Sequence, residues 1–334
     1  MPESLVIITK RLAAAIVIVV VLVGAVFGLE KLSGTNPAHA YLGAGASSAQ
    51  VAREKRALGL DKPLLVQFWH YLLGVAQGNF GTSYRTRDPV AQDLLRYLPA
   101  TLELAAYALL LALALGTLLG LMSAAGRRGS GVLKALMVSG ASAPIFLLAL
   151  GGILVFYSKL GWLPATGQSS YANPPSGPTG FLTIDAALHG DWGVLFDAWR
   201  HLVLPASCLA IVPAVSIGRV LRGSLVAVLR EDYVRTARAK GLREPAVLVR
   251  HALRNSVGPA LSMAGLQAGL LLAGDVVVEE IFAWPGVGNY VAQALPVGDF
   301  PAISAVTIVF GVGYVAINAL VDLMQKLADP RVRA

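Results

Sequence analysis

Cysteine is nearly absent: Cys208 stands alone in 334 residues, so no intramolecular disulfide can form. Its place in an apolar stretch makes it a packing or lipid-facing residue rather than a reactive thiol. Charge is scarce too, with 14% Asp, Glu, Lys and Arg against 56% hydrophobic residues and a mean hydropathy of +0.66. A soluble domain rarely carries so little charge. No lysine precedes Ser or Thr, which removes the phosphate-cradling end of a P-loop. The histidines His39, His70, His189, His201 and His251 form no HExxH or comparable metal spacing, and no G-x-S-x-G nucleophile elbow occurs. Neither a catalytic residue nor a cofactor or metal site is expected. If such a chain drives a solute uphill, another polypeptide must hydrolyse the nucleotide.

What the chain does have is long apolar runs. At a rise of about 1.5 Å per residue, runs of roughly 18 to 25 residues cross a hydrocarbon core of about 30 Å. Six candidates follow: Leu12–Leu29, Leu98–Ala125, Leu133–Tyr157, Leu202–Leu221, Ala260–Ile281 and Ala302–Leu323. The expected class is therefore an all-α membrane protein with six transmembrane helices. The net charge of +8 does not point to nucleic acid, because the cations flank apolar runs instead of alternating with aromatic residues. Lys10 and Arg11, then Arg127, Arg128 and Lys134, then Lys326, Arg331 and Arg333 mark one side. A longer segment after the fourth run adds Arg222, Arg230, Arg235, Arg238, Lys240, Arg243, Arg250 and Arg254. Flanking basic residues mark the cytoplasmic face, so both termini are expected inside.

The opposite loops are Glu30–Tyr97, Ser158–His201 and Phe282–Pro301. This divides the chain into an amino-terminal part with the first span (1–29), an external segment (30–97) and a core of five spans (98–334) holding a cytoplasmic loop at 222–259. Ala38-His39-Ala40 imitates a signal-peptide cleavage site, but the apolar run before it exceeds the usual h-region of about 7–15 residues. A retained anchor is expected. In the external segment, Leu58-Gly-Leu-Asp-Lys-Pro63, the aromatic stretch Phe68, Trp69 and Tyr71, and Gly78-Asn-Phe-Gly-Thr-Ser83 suggest a small folded cap. Trp162 to Gly180, rich in Pro, Gly and Ser, reads either as an ordered scoop or as a flexible loop.

Arg219 to Pro259 carries the most specific pattern. Its centre, Tyr233-Val-Arg-Thr-Ala-Arg-Ala-Lys-Gly-Leu242, fits a helix ended by Gly241, with Pro245 opening the next helix. Ala237 and Gly241 are four apart and share a face open to close approach, and Glu231 pairs with Arg235 at i, i+4. Small residues ringed by Arg235, Arg238, Lys240 and Arg243 suit an acidic groove on a soluble partner. Periodicity alone leaves open a basic helix lying on anionic lipid.

This segment, with Arg250-His-Ala-Leu-Arg-Asn255 and Pro259, resembles the coupling loop of binding-protein-dependent ABC importer permeases, especially the dipeptide/oligopeptide/nickel group. Against the general E-A-A-x-x-x-G motif aligned on Gly241, Arg235 replaces Glu and Thr236 the first Ala, while Ala237 matches. The likeness extends to Leu58–Pro63, Gly78–Ser83, Glu279-Glu-Ile-Phe-Ala-Trp-Pro-Gly-Val-Gly288 and Asp329-Pro-Arg-Val-Arg333, similar to the first permease subunit of these heterodimers. Asn36-Pro37 departs from the commoner Pro-Gly-Asp-Pro. The resemblance implies a type I ABC importer permease fold in a bacterial cytoplasmic membrane, importing peptides by alternating access. It implies a homologous second permease, two ATPase subunits (or one fused ATPase) binding ATP and Mg, an external substrate-binding protein and surrounding lipid as partners. ATPase coupling falls to Arg235, Thr236, Ala237, Arg238, Ala239, Lys240, Gly241 and Leu242. Relatives with this pattern also import nickel chelates or glutathione. A secondary transporter or channel is the remoter alternative, and a non-transporting receptor remoter still.

Ionisable residues near a bilayer are costly and often functional. Asp275 and Glu279 lie four apart on the fifth span with Glu280 beside them, placed to meet a substrate ammonium, to hold a gate, to cap backbone donors or to pair with Arg200. Glu103 is read as serving the start of the second span, and Asp322 as pairing with Lys326. Pro144, Pro205 and Pro213 are expected to interrupt or kink their helices.

Overall fold

Leucine- and alanine-rich runs without β-branched alternation favour helix, and the computed structural model is helical throughout. It describes residues 2–33, 38, 42, 45–57, 59–124 and 130–328. Among these there is no β-strand, only an isolated bridge between Thr82 and Pro89. The helices in chain order are α1 (Pro2–Leu32), α2 (Ser48–Ala57), α3 (Leu64–Ala76), α4 (Val90–Ala124), α5 (Ser130–Ser142), α6 (Ile145–Gly152), α7 (Leu182–Leu188), α8 (Trp192–Val228), α9 (Asp232–Ala239), α10 (Glu244–Ala246), α11 (Arg254–Ile281), α12 (Val287–Ala294) and α13 (Phe300–Ala328). Two π-helical stretches, Ile153–Lys159 after α6 and Val247–Leu253 before α11, carry the chain on without a break. Extra residues of this kind in a helical ladder are frequent at functional sites.

Among the described residues three helices are long and apolar enough to cross a membrane: Val90–Ala124, Trp192–Val228 and Phe300–Val321. They hold the expected second, fourth and sixth spans. The first and fifth lie within α1 and α11, each longer than the apolar run that announced it. The third is not one helix. Pro144 lacks a backbone N–H and stands as the N-cap of α6, so Leu133–Tyr157 is divided between α5 and α6. Pro205 and Pro213 behave otherwise, because α8 runs through both without interruption.

The chain forms two compact units: one joins the chain up to Leu98 with Val287–Val315, and the other joins Pro99–Gly286 with the chain from Ala316 onward. In the first, Asp299 caps α13 by accepting from the Ala302 N–H at 3.4 Å, and it also accepts from Ser83 Oγ at 2.5 Å and the Arg85 N–H at 3.2 Å. Asp93 accepts from Thr86 Oγ1 at 2.6 Å and Tyr290 Oη at 2.9 Å. Burial, first of all, and the bond to Asp93 push the Tyr290 phenol up, so it remains a donor. These two buried carboxylates tie Ser83–Arg87, a stretch that begins where Gly78–Ser83 ends, to α12 and α13.

In the second unit α8 is the central helix, packed against α7 and α11. It also meets α4 where neither has a side chain: a Cβ on Gly116 would stand 2.9 Å from the Ala214 carbonyl oxygen, and one on Gly218 would stand 3.0 Å from the Gly116 oxygen. Small residues at such crossings let backbones touch, the usual route to tight helix packing where lipid provides no hydrophobic drive. Cys208 is buried on α8 within the apolar cluster that also holds Leu104, Leu202 and Trp284, which settles it as packing.

Candidate functional site

The basic elbow is α9 and what holds it. Asp232 sits in the first turn of α9, where negative charge meets the helix dipole, and Gly241 follows the helix with φ +81°. The Gly241 N–H donates to the Arg238 oxygen at 2.9 Å and the Leu242 N–H to that of Ala237 at 3.4 Å, closing the helix in a left-handed cap. Glu244 and Pro245 then start α10, as the sequence foretold. Thr236 Oγ1 is spent on the Asp232 carbonyl at 3.0 Å.

Two expectations about this elbow need correction. Ala237 is not offered to a partner: it and Val234 are buried, and α9 packs against the chain's own π-helical stretch Val247–Leu253. Gly241 takes a positive φ, and within this chain a Cβ on it would meet nothing within 4 Å. Arg235 reaches Asp232, at 3.4 Å, where Glu231 was expected. The bond that fastens the elbow is another, unforeseen one: Arg238 grips Glu244 through Nε at 2.7 Å and Nη2 at 3.3 Å, in a bidentate fork. Asn255 Nδ2 donates to Tyr233 Oη at 2.9 Å, joining α9 to the first turn of α11.

Ala239, Lys240, Leu242 and Arg243 are exposed, as are the side chains of Arg235 and Tyr233. Among the described residues Lys240 and Arg243 make no ion pair. The result is a cationic, partly apolar outer face on a short helix whose inner face is locked to α11. Arg127, Arg128, Arg331 and Arg333, the motif Asp329–Arg333, Leu58, Asn36-Pro37, His39 and Ala40 lie outside the described residues. So do the side chains of Lys10, Arg11, Lys134, Asp322, Lys326 and Asp275.

At the other acidic candidates, the structure separates neighbours. Glu279 is fully buried and accepts from Thr101 Oγ1 at 2.6 Å, with Gly286 packed so closely on its carboxylate that a Cβ there would stand 2.3 Å away. Glu280 is exposed. Arg200 donates to the Trp162 carbonyl at 2.8 Å. Glu103 does serve a helix start, but that of α7: it accepts from the Thr183 N–H at 2.8 Å, Thr183 Oγ1 at 2.5 Å, the Leu182 N–H at 3.3 Å and Gln168 Nε2 at 2.7 Å. In its own helix it stands well past the first turn, because α4 begins at Val90 and carries Pro99 inside.

Three carboxylates thus organise Trp162–Gly180, for Asp197 accepts from Ser169 Oγ and the Ser170 N–H, and Asp185 from the Thr179 and Gly180 N–H groups. Of the two readings of this loop, the ordered one holds.

With this geometry in view, comparison with known proteins is informative. The family model described as "Binding-protein-dependent transport system inner membrane component" matches residues 116–334, and that for the amino-terminal part of such membrane components matches residues 4–105. The chain is 41% identical over 309 residues to the "Probable D,D-dipeptide transport system permease protein" of Escherichia coli (strain K12), covering 92% of this chain and 91% of the relative. It is 41% identical over 312 residues to the di/tripeptide transport system permease protein of Pseudomonas aeruginosa (strain UCBPP-PA14), 92% of each. The glutathione transport system permease protein of Pectobacterium atrosepticum is 36% identical over 327 residues, 97% of each.

Proposed function

Because the chain belongs to the family of binding-protein-dependent transport system inner membrane components, we propose that it is the membrane half of an ATP-driven importer of short peptides. Relatives named for dipeptides, for di- and tripeptides and for glutathione support a small peptide-like solute. A homologous second permease completes the path, an external binding protein delivers the solute, and two cytoplasmic ATPases drive the cycle. The chain crosses the bacterial cytoplasmic membrane six times with both ends inside. The third crossing is made by α5 and α6 together, and the segment after α1 lies outside.

The observation that carries the coupling role is the two-sided construction of α9. Its outer face offers Arg235, Lys240 and Arg243 to water, while Val234, Ala237, the Arg238–Glu244 fork and the Tyr233–Asn255 bond bind its inner face to the π-helical entry of α11. An ATPase with acidic residues in its groove engages the outer face, and displacement of α9 is handed to α11 through contacts that are partly open to water. Such a cycle works only because ATP and solute bind the inward and outward states with different affinity.

The test places a photo-crosslinking residue at Arg235 and, separately, the double change Arg235→Glu, Lys240→Glu in the assembled transporter. Light should join the chain to the ATPase, and the double variant should assemble in the membrane yet lose uptake by about ten-fold or more, some 1.4 kcal/mol of coupling. Absence of the crosslink together with normal uptake would refute the docking surface. The class of solute is read from what remains bound to the cognate binding protein on purification: short peptides support the proposal, and glutathione alone favours the second reading, which the 36% relative suggests.

A further inference from the structure

Within the unit formed by the chain up to Leu98 and Val287–Val315, α3 has no part in the coupling just described. Its sequence, LLVQFWHYLLGVA, is apolar almost all round and contains no formal charge. Two of its polar side chains bond close by: the Gln67 amide nitrogen donates to the Lys62 carbonyl at 2.6 Å and the Leu60 carbonyl at 3.1 Å, and His70 Nδ1 lies 2.7 Å from the Val66 oxygen. A helix this apolar is ordinarily buried in protein or in lipid.

One side of α3 is covered by α1. The Phe27 ring lies 5.6 Å from Phe68 and 5.9 Å from Tyr71, and Phe68 sits over the bare backbone of Gly24. The other side is not covered. Leu65 is 82% exposed, Trp69 57% and Leu73 42%, and their spacing of four places them in one stripe along the helix.

Length decides what can cover that stripe. Thirteen residues extend about 20 Å, short of the roughly 30 Å needed to span, and apolar segments of this size are re-entrant or interfacial. Gly24 stands five residues before Leu29, the expected outer end of the first span, so α3 touches α1 about 7.5 Å below that end. Helices lying in the interface sink about 5–10 Å into the boundary between headgroups and acyl chains. Trp69, an amphipathic ring, is the residue type favoured at that depth. The apolar exposure is shared by α1, where Val17 and Val21 are also uncovered.

We propose that α3 is an interfacial helix of the outer leaflet, with the Leu65–Trp69–Leu73 stripe seated among lipid acyl chains and the opposite side holding α1. The partner of this surface is the bilayer, not a protein. The assignment to the outer leaflet rests on the proposed orientation; the assignment to lipid does not.

The test uses the full chain in its assembled transporter, purified into lipid nanodiscs, on a Cys208→Ala background first shown to transport. Single variants Leu65→Cys, Trp69→Cys and Leu73→Cys carry a nitroxide, with Lys62→Cys as the exposed control. Lipid seating predicts ready collision of the three stripe labels with oxygen and loss of collision with a water-soluble nickel chelate, while the control meets both. Nickel access at the stripe equal to the control overturns the proposal, and so does exclusion of both reagents, which would place a protein there. The orientation is read separately, by labelling Lys62→Cys in right-side-out vesicles with a membrane-impermeant maleimide. A control that fails to react leaves α3 in lipid but moves it to the inner leaflet.

Discussion

The elbow around α9 and the cluster around Glu103 both rest on carboxylates meeting donors, yet they are built for opposite ends. At the elbow, Arg238 and Glu244 stand with side chains 38% and 66% exposed, where water screens them and either can let go. At the cluster, Glu103 is 1% exposed and serves four donors from two other segments, so no bond there is replaced by water when it breaks. The coupling role we propose for the elbow asks it to respond to a partner, whereas a loop scaffold must not yield. The difference in burial supplies both behaviours from the same chemistry.

Glu103→Ala tests the rigid side of this contrast and has the largest expected effect. It strands the buried Leu182 and Thr183 N–H groups, while the Thr183 hydroxyl keeps Tyr107 Oη at 3.1 Å and the Gln168 amide is only part-buried; each buried donor left unpaired costs about 1–3 kcal/mol. Since part of that cost is relieved by relaxation, a loss of about 3–5 kcal/mol is expected, read as a large fall in the thermal midpoint of the purified transporter. Glu103→Gln keeps an acceptor and should lie between. A midpoint unchanged by Glu103→Ala would mean that the cluster holds nothing, and the comparison would collapse.

How far these two regions were legible follows from the range of their contacts. At the elbow the glycine, the proline and the helix ahead of them are local signals, and each stands where the spacing predicts. Periodicity placed Ala237 on one face with Gly241, but it does not say whether a face is already covered; the cover here is Val247–Leu253, which no rule of spacing links to α9. The Arg238–Glu244 fork had a faint sign in an acidic residue ahead of Pro245. Glu103 was recognised as a helix-capping acid and given to the wrong helix, because its partners stand 79 and 80 positions away at Leu182 and Thr183. Hydropathy alone runs the third apolar stretch through Pro144, since a proline between two apolar stretches does not alter their average; the expected interruption there came from the proline itself, and the helix does break at it.

Gly241 ranks next in size. Its φ of +81° costs a side-chain-bearing residue about 1–2 kcal/mol, so Gly241→Ala should loosen the elbow by that amount, whereas Gly241→Asn should lose less because Asn tolerates this region. Within this chain a Cβ at the position meets nothing within 4 Å. The measurement is solute-stimulated ATP hydrolysis by the assembled complex, with an expected order of native, Asn, Ala. Equal activity for Ala and Asn would show that shape at this turn is immaterial to coupling.

The smallest effect is expected at the fork. Exposed pairs of this kind contribute about 0–1 kcal/mol, and a bidentate Arg–carboxylate contact lies near the upper end. Glu244→Gln should therefore leave the thermal midpoint nearly unchanged while weakening the grip of Arg238 on α10. Because charge pairing in water fades with salt, raising ionic strength should bring the native protein towards the variant in solute-stimulated ATP hydrolysis, and the variant itself should respond less. If Glu244→Gln instead lowered the midpoint as much as Glu103→Ala, the fork would belong with the rigid cluster. The elbow's proposed compliance would then have to reside in the backbone at Gly241 alone.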